Sequence, residues 1–207
     1  MKKKLSYSKI ASSLRTGDII LFSCPSTISK VIDTVEDSPY AHVGMVIRLP
    51  NHPRPLFWES SHVDVIDDEI KDVGSEGVHL IDLEKLIDLC QSHYKCSYFA
   101  LRHLYPSLGH KEMAKLEKYM RELDGREFPS IFGMIMHFLE GKLGIKTSER
   151  TFFCSELLTA TYKELGVIKN DVLVNSLSPA NYSAEHENEE VWSGHYDLGP
   201  EILFTAG

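Results

Sequence analysis

Thr151-Phe-Phe-Cys-Ser-Glu-Leu-Leu-Thr-Ala-Thr-Tyr-Lys-Glu-Leu-Gly166 is the clearest helical stretch in the sequence. From Cys154 onward its core-facing positions recur at helical spacing, and Gly166 stands where a helix commonly ends. Cys154 therefore falls at the first turn, where free backbone N–H groups and the helix dipole favour a thiolate. A thiolate is the nucleophile that acyl transfer requires, and the same N–H groups can stabilise an oxyanion. The pattern predicts Cys154 as a nucleophile, with a buried structural thiol as the alternative.

Two strands upstream of this helix carry the candidate partners of the cysteine. Residues 42–49 and 56–61 are predicted as strands and flank the turn Asn51-His-Pro-Arg-Pro55, which predicts a hairpin. His42 opens the first strand, where an imidazole is held rigidly and can exchange a proton with a thiol. Glu59 interrupts the apolar run Leu56-Phe-Trp and would lie near His42, so it can orient the ring as a third triad member. A surface or core histidine and an edge-strand carboxylate are the alternatives.

The order of several short motifs resembles a known family. They are Arg15-Thr-Gly-Asp-Ile-Ile-Leu-Phe22, a capped helix predicted at 25–35, Ser38-Pro-Tyr-Ala-His-Val-Gly-Met-Val46, Trp58-Glu-Ser60 and Phe153-Cys-Ser-Glu-Leu157. Together they resemble the permuted NlpC/P60 superfamily, which includes YiiX-like proteins and is related to the lecithin–retinol acyltransferase branch. Ordinary members place cysteine before histidine, whereas here histidine comes first. The resemblance spans residues 14–182, but it matches nothing in 106–150.

That resemblance implies a fold and a set of catalytic roles. We expect an α+β protein with a circularly permuted papain-like fold, in which a central antiparallel sheet packs against helices and the nucleophile begins a helix. Residues 1–207 would form a single domain with a helical insert around 106–150. The catalytic roles of the family fall on Cys154 as nucleophile, His42 as base and Glu59 as the orienting residue.

The resemblance also implies a function. We expect a cysteine peptidase-type or amidase-type hydrolase that cleaves an amide or peptide bond through a thioester acyl-enzyme, with no cofactor and no metal. The substrate would be a small peptide, an amide or a lipid-like molecule. Tyr40, Trp58, Ser60 and Phe153 are candidate substrate-binding residues, although packing is an equal alternative for Tyr40. A lipid acyltransferase or deacylase using the same pair, and an inactive binding module, are the other hypotheses.

Composition narrows the partners and the setting. The formal net charge of −8 argues against nucleic acid, which requires a positive face. Four cysteines are too few for a disulfide scaffold in 207 residues and none are spaced C-x-x-C, so we predict reduced thiols. The sequence shows no signal peptide and no transmembrane segment, which predicts a cytoplasmic protein. The apolar stretch 128–139 leaves contact with a membrane open, and the oligomeric state is unknown.

Overall fold

A mostly antiparallel sheet forms the centre of the protein. The computed structural model describes residues 3–25, 38–71, 74, 76–127 and 153–207. The strands in these ranges are β1 (Leu5–Ser6), β2 (Ile19–Ser23), β3 (His42–Ile47), β4 (Leu56–Ser61), β5 (Gly77–Asp82), β6 (Tyr98–Arg102), β7 (Leu104–Tyr105), β8 (Asp197–Leu198) and β9 (Ile202–Thr205). Seven of them form one sheet in the order β1-β9-β6-β2-β3-β4-β5, while β7 and β8 pair separately. The pair β1 and β9 is parallel, and the other described pairs are antiparallel.

Helices cover both faces of this sheet. They are α1 (Tyr7–Ile10), α2 (Leu83–Ser92), α3 (His110–Leu123) and α4 (Cys154–Leu165). Buried residues of α4 join one hydrophobic cluster with alternate residues of β3 and β4, and α3 packs on α4 from outside. Buried residues of α1 and α2 join a second cluster with the other face of the strands. The expected α+β architecture, with a central sheet packed against helices, is therefore confirmed.

The two elements that carry the candidate site have the predicted form. Strands β3 and β4 pair as an antiparallel hairpin with Met45 opposite Trp58, although β3 ends at Ile47 rather than at residue 49. Helix α4 begins at Cys154 and ends at Leu165, and the next residue is Gly166, whose φ of 76° is the left-handed conformation that glycine adopts readily. The helix predicted at 25–35 and the part of the predicted insert in 128–150 lie outside the described residues. In residues 106–127, the described part of the predicted insert, the structure has helix α3.

The prediction of four reduced thiols is wrong, because Cys24 and Cys96 form a disulfide. Cys24 directly follows β2, and Cys96 lies just before β6. These strands are antiparallel neighbours with Ser23 opposite Tyr98, so both cysteines reach the same end of the sheet. Spacing along the chain could not show this, since the pair is separated by 72 residues. Disulfides are rare in the cytosol, so the thiols no longer support a cytoplasmic location.

None of the helices in the described ranges has the length and apolar character that a membrane span requires.

Candidate active site

The structure brings His42 and Cys154 together, although more than a hundred residues separate them in the chain. His42 is the first residue of β3 and Cys154 is the first residue of α4. Helix α4 packs against β3, and the thiol lies close enough to the imidazole for its interaction to raise the pKa of His42. The side chain of His42 keeps 21 % of its surface exposed, so the pair lies at a wall that a ligand can reach.

Glu59 binds the other side of the imidazole. Nε2 of His42 is hydrogen-bonded to Oε2 of Glu59, a carboxylate that is 1 % exposed on the neighbouring strand β4. Because Nε2 is used in this bond, Nδ1 is the ring nitrogen left for the sulfur. The edge of the Phe22 ring packs on the imidazole with centroids 5.2 Å apart. The ring of His42 is therefore fixed by a carboxylate on one side and an aromatic ring on another.

Two further residues, His79 and Ser61, hold the second oxygen of Glu59. Nε2 of His79 lies 3.0 Å from Oε1 of Glu59, and Oγ of Ser61 donates a hydrogen bond to the same oxygen at 3.0 Å. His79 is fully buried on β5, directly opposite Glu59 in the strand pairing. Sequence analysis missed His79. The available signal was a polar residue inside the apolar run Val78-His79-Leu80-Ile81, which repeats the pattern that singled out Glu59.

Burial and neighbouring charges act in opposite directions on this cluster. Burial alone lowers the pKa of His42, but the charges of Glu59 and Cys154 outweigh it and raise that pKa to about 10. Burial alone raises the pKa of Glu59, but His42 and His79 outweigh it and hold that pKa well below its ordinary value. The imidazole is therefore a cation at neutral pH, beside the sulfur and an ionised carboxylate.

Polar contacts along α4 fix the position of its first turn. Oγ of Ser155 donates to the carbonyl of Leu177 at 2.8 Å, and the hydroxyls of Thr159 and Tyr182 lie 2.7 Å apart. Farther along, the hydroxyl of Tyr162 donates to the Gly17 carbonyl at 2.7 Å. Each polar group is buried with a partner, so α4 can be buried on nearly all sides without unpaired polar atoms at these positions. This anchoring holds Cys154 against β3.

The other residues predicted to bind substrate are all buried. Tyr40 is buried and its hydroxyl donates to Oε2 of Glu201 at 2.9 Å, beside a separate cavity of about 430 Å³. Trp58 is buried and its indole N–H donates to the Thr161 hydroxyl at 3.2 Å. Ser60 is fully buried, and Phe153 is buried directly before α4. The described lining of the cavity at Cys154 includes none of Tyr40, Trp58, Ser60 and Phe153.

A cavity of about 270 Å³ opens beside the cysteine, with Cys154, His42 and Glu59 in its lining. Much of the remaining wall is apolar. Its side chains come from β2, from helix α2 and from the segments that follow β4 and α2. They include Phe22, Val63, Leu86, Cys90 and Tyr94. The nucleophile, its base and the orienting carboxylate therefore share one mostly apolar pocket, which is a common composition for a small-molecule site.

The described fold and site define an α+β protein with a cysteine–histidine–glutamate row, in which the cysteine begins a helix packed on the sheet. Among solved structures, the chain is similar to metalloprotein yiiX from Escherichia coli O157:H7, a DUF1105 protein. The TM-score is 0.52 with 18 % identity, covering 90 % of this chain and 89 % of yiiX. This likeness shows a shared fold. No family model matches the sequence, and no curated protein matches it.

Proposed function

We propose that this chain is a cysteine hydrolase that cleaves an amide or peptide bond through a thioester acyl-enzyme. The observation that carries the proposal is the row of Cys154, His42 and Glu59 along the wall of one cavity, in which the sulfur and the carboxylate both act on the imidazole. A nucleophile bonded to a base, with the base oriented by a third group, is the arrangement that acyl transfer uses on many folds. A plain structural role does not explain why a thiol, an imidazole and a carboxylate meet in this order at one cavity.

Each residue of the row has a distinct task in this mechanism. The imidazolium of His42 favours a thiolate on Cys154, which attacks the scissile carbonyl carbon. First-turn N–H groups of α4 stabilise the oxyanion that forms. His42 then donates its proton to the leaving amine, which leaves a thioester on the sulfur. Neutral His42 next removes a proton from water, which attacks the thioester and releases the carboxylic acid and the free thiol.

The fold and the motif order support the same proposal. Histidine on β3 precedes the cysteine of α4 in the chain, which is the order of the permuted NlpC/P60 superfamily that the sequence resembles. The likeness in fold to yiiX, whose group that superfamily includes, agrees with this assignment. We therefore propose that the sheet and α4 form a circularly permuted papain-like core.

The similar protein yiiX is named a metalloprotein, which raises the question of whether this site fits a metal. In the described ranges, no group of three or more histidine, cysteine, aspartate or glutamate side chains is arranged to hold a metal ion. His42, Glu59 and His79 come closest, but their Nε2 and carboxylate oxygen atoms bond to one another. They do not converge on a common point, so the proposed mechanism has no step through a metal.

The apolar cavity supports a second candidate, a lipid acyltransferase or deacylase that uses the same thioester. Both candidates form an acyl-enzyme on Cys154. A deacylase also uses water and differs from the proposed hydrolase only in its substrate, whereas the acceptor in the second half-reaction distinguishes a transferase. A hydrolase passes the acyl group to water, whereas a transferase passes it to an added alcohol or amine. Formation of the new ester or amide faster than the free acid would favour the transferase.

The experiment uses para-nitrophenyl acetate, a small activated ester. We expect a burst of nitrophenol and one acetyl group on Cys154, identified by mass spectrometry of the quenched protein. Cys154→Ala and His42→Ala should abolish the burst, and Glu59→Gln should strongly reduce it. Cys90→Ala is the matched control, because Cys90 is the other free cysteine in the described residues and lines the same cavity. A normal burst in either alanine variant of the pair would reject the mechanism, and folded protein without any adduct would favour a binding module.

A further inference from the structure

We infer that the 270 Å³ cavity beside Cys154 is an apolar specificity subsite for an uncharged group attached to the scissile carbonyl. The inference rests on the proposed hydrolase function and adds the class of substrate. The sources of such a group are the aliphatic chain of a fatty acyl compound and the apolar side chain of a peptide residue. Both present the same chemistry to the cavity wall.

The wall is built from three elements that the fold holds in place. Phe22 comes from β2 and is fully buried, Leu86 comes from α2, and Val63 follows β4. The Cys24–Cys96 disulfide borders the same cavity through Cys24, so that part of the wall is covalently tied to the start of β6. Such a wall gains free energy by burying an apolar group, in proportion to the area removed from water.

The ionisable groups in the described part of the lining offer little to a charged ligand. Glu59 and His42 neutralise each other. Burial raises the pKa values of the Cys90 thiol and the Tyr94 hydroxyl, so both are uncharged at neutral pH. His62 is about half exposed and lies 3.2 Å from a carboxylate oxygen of Glu76. The Cys154 thiolate is no longer an anion once it has attacked the carbonyl, so a charged group in the cavity would lose water without gaining a counter-ion from these side chains, which is costly.

The volume sets the size of the group. At about 30 Å³ for each water-sized unit, the cavity holds about nine such units. A hexanoyl or octanoyl chain, or a leucine or phenylalanine side chain, fits within that limit. A longer chain would have to leave through the open side of the cavity, where it gains less from burial.

The test compares para-nitrophenyl esters of acetate, butyrate, hexanoate, octanoate and dodecanoate, with 6-aminohexanoate as the charged analogue. We expect kcat/KM to rise with chain length, by at most about fourfold for each methylene, which is the limit for full burial. The rise should stop near octanoate, and 6-aminohexanoate should react at least tenfold more slowly than hexanoate.

The second arm of the test uses the para-nitrophenyl esters of N-acetylated leucine, phenylalanine and lysine. If the leucine or phenylalanine ester reacts faster than every fatty acyl ester, the group comes from a peptide. If a fatty acyl ester reacts faster than both amino acid esters, the group is a fatty acyl chain.

Substitutions locate the preference in this cavity. Val63→Phe narrows the cavity, so the ratio of hexanoate to acetate turnover should fall about tenfold. Val174→Phe is the matched control, because Val174 is similarly buried (7 % exposed, against 8 % for Val63) and lines a different cavity. Leu86→Ala enlarges the cavity and should move the optimum toward dodecanoate, which tests the inference if Val63→Phe does not fold.

The outcomes separate the subsite from the proposed function. If Cys154 is acetylated but the esters of all chain lengths react with equal kcat/KM, the subsite inference is overturned. The hydrolase proposal is not affected by that result. Faster reaction of 6-aminohexanoate than of hexanoate also overturns the subsite. A protein that accepts no ester, acetate included, overturns both proposals.

Discussion

Nε2 of His79 lies 3.0 Å from Oε1 of Glu59, on the opposite oxygen from the one that binds His42. A buried carboxylate requires hydrogen-bond donors on both oxygens, and His79 with Ser61 supplies them at Oε1. This arrangement restricts rotation of the carboxylate, so Oε2 stays directed at His42. His79 is therefore a positioning residue that acts on the catalytic pair through Glu59.

Removing the donor at position 79 should reduce catalysis more than binding. In His79→Ala we expect kcat to fall about tenfold with little change in KM, a modest effect beside the roughly 10⁴-fold loss when the orienting carboxylate of a serine triad is replaced. His79→Gln should restore much of kcat, because its amide can donate to Oε1. Steady-state kinetics on a nitrophenyl ester measures both constants.

The matched control for this prediction is His110→Ala, since His110 is exposed at the start of α3. It should change neither constant. Equal losses in His79→Ala and His79→Gln, with unchanged pH dependence of the rate, would contradict the positioning role and leave only a packing role.

The pH dependence should follow from the shifted pKa values of the buried pair. The rate should fall as pH rises through about 10, because His42 then loses the proton that it gives to the leaving group. Glu59→Gln removes the charge that contributes most to the raised pKa of His42, so the histidine titration should move to lower pH. NMR of histidine-labelled protein measures that titration in both proteins, and an unmoved His42 resonance would contradict the assignment.

The same shifts predict a stability maximum in mildly acidic solution. The raised pKa of His42 contributes stability that is fully present below its ordinary pKa of 6.5 and is lost as pH rises toward about 10. The lowered pKa of Glu59 contributes stability that is fully present above its ordinary value of 4.5 and is lost as pH falls. The free energy of unfolding from urea titrations should therefore decline on both sides of the interval from 4.5 to 6.5. In Glu59→Gln both declines should be smaller.

The parts of the site that could be predicted from the sequence depend on local patterns. Helical periodicity and a terminal glycine located α4, and hence placed Cys154 in its first turn. Strand alternation around a proline-containing turn located the hairpin of β3 and β4, and hence brought His42 near Glu59. Each inference needed only neighbours within a few residues, where side-chain periodicity is a direct consequence of backbone geometry.

The parts that the sequence could not provide depend on long-range pairing. His79 meets Glu59 only because β5 pairs with β4 in one register, and nothing local sets that register. Cys24 and Cys96 meet because β2 and β6 are neighbours, although they are not consecutive in the chain. Tyr40 and Trp58 were assigned from their nearness in sequence to His42 and Glu59. Alternation along a strand directs Trp58 to the face opposite Glu59, where it bonds to α4.

Alkylation should distinguish the two free cysteines of the described residues. Cys154 lies beside the cationic imidazole of His42 at the cavity wall, whereas burial raises the pKa of the Cys90 thiol and keeps it protonated. We expect iodoacetamide at neutral pH to modify Cys154 in the folded protein at least tenfold faster than Cys90. Peptide mapping after quenching measures both rates. In His42→Ala the rate at Cys154 should fall toward that of Cys90, and faster labelling of Cys90 in the native protein would contradict the proposed pair.

The Cys24–Cys96 disulfide should stabilise the fold at the wall of the substrate cavity. It closes a loop of 72 residues, and a cross-link of this kind typically contributes about 2–4 kcal/mol by restricting the unfolded chain. The double variant Cys24→Ser/Cys96→Ser should lower the free energy of unfolding by about that amount, measured by urea titration without reductant. Adding reductant should destabilise the native protein by a similar amount and leave the double variant unchanged, which separates the cross-link from general effects of the reductant. With the disulfide intact, only Cys90 and Cys154 should react with a thiol reagent in the denatured, unreduced protein. Four reactive thiols would contradict the disulfide.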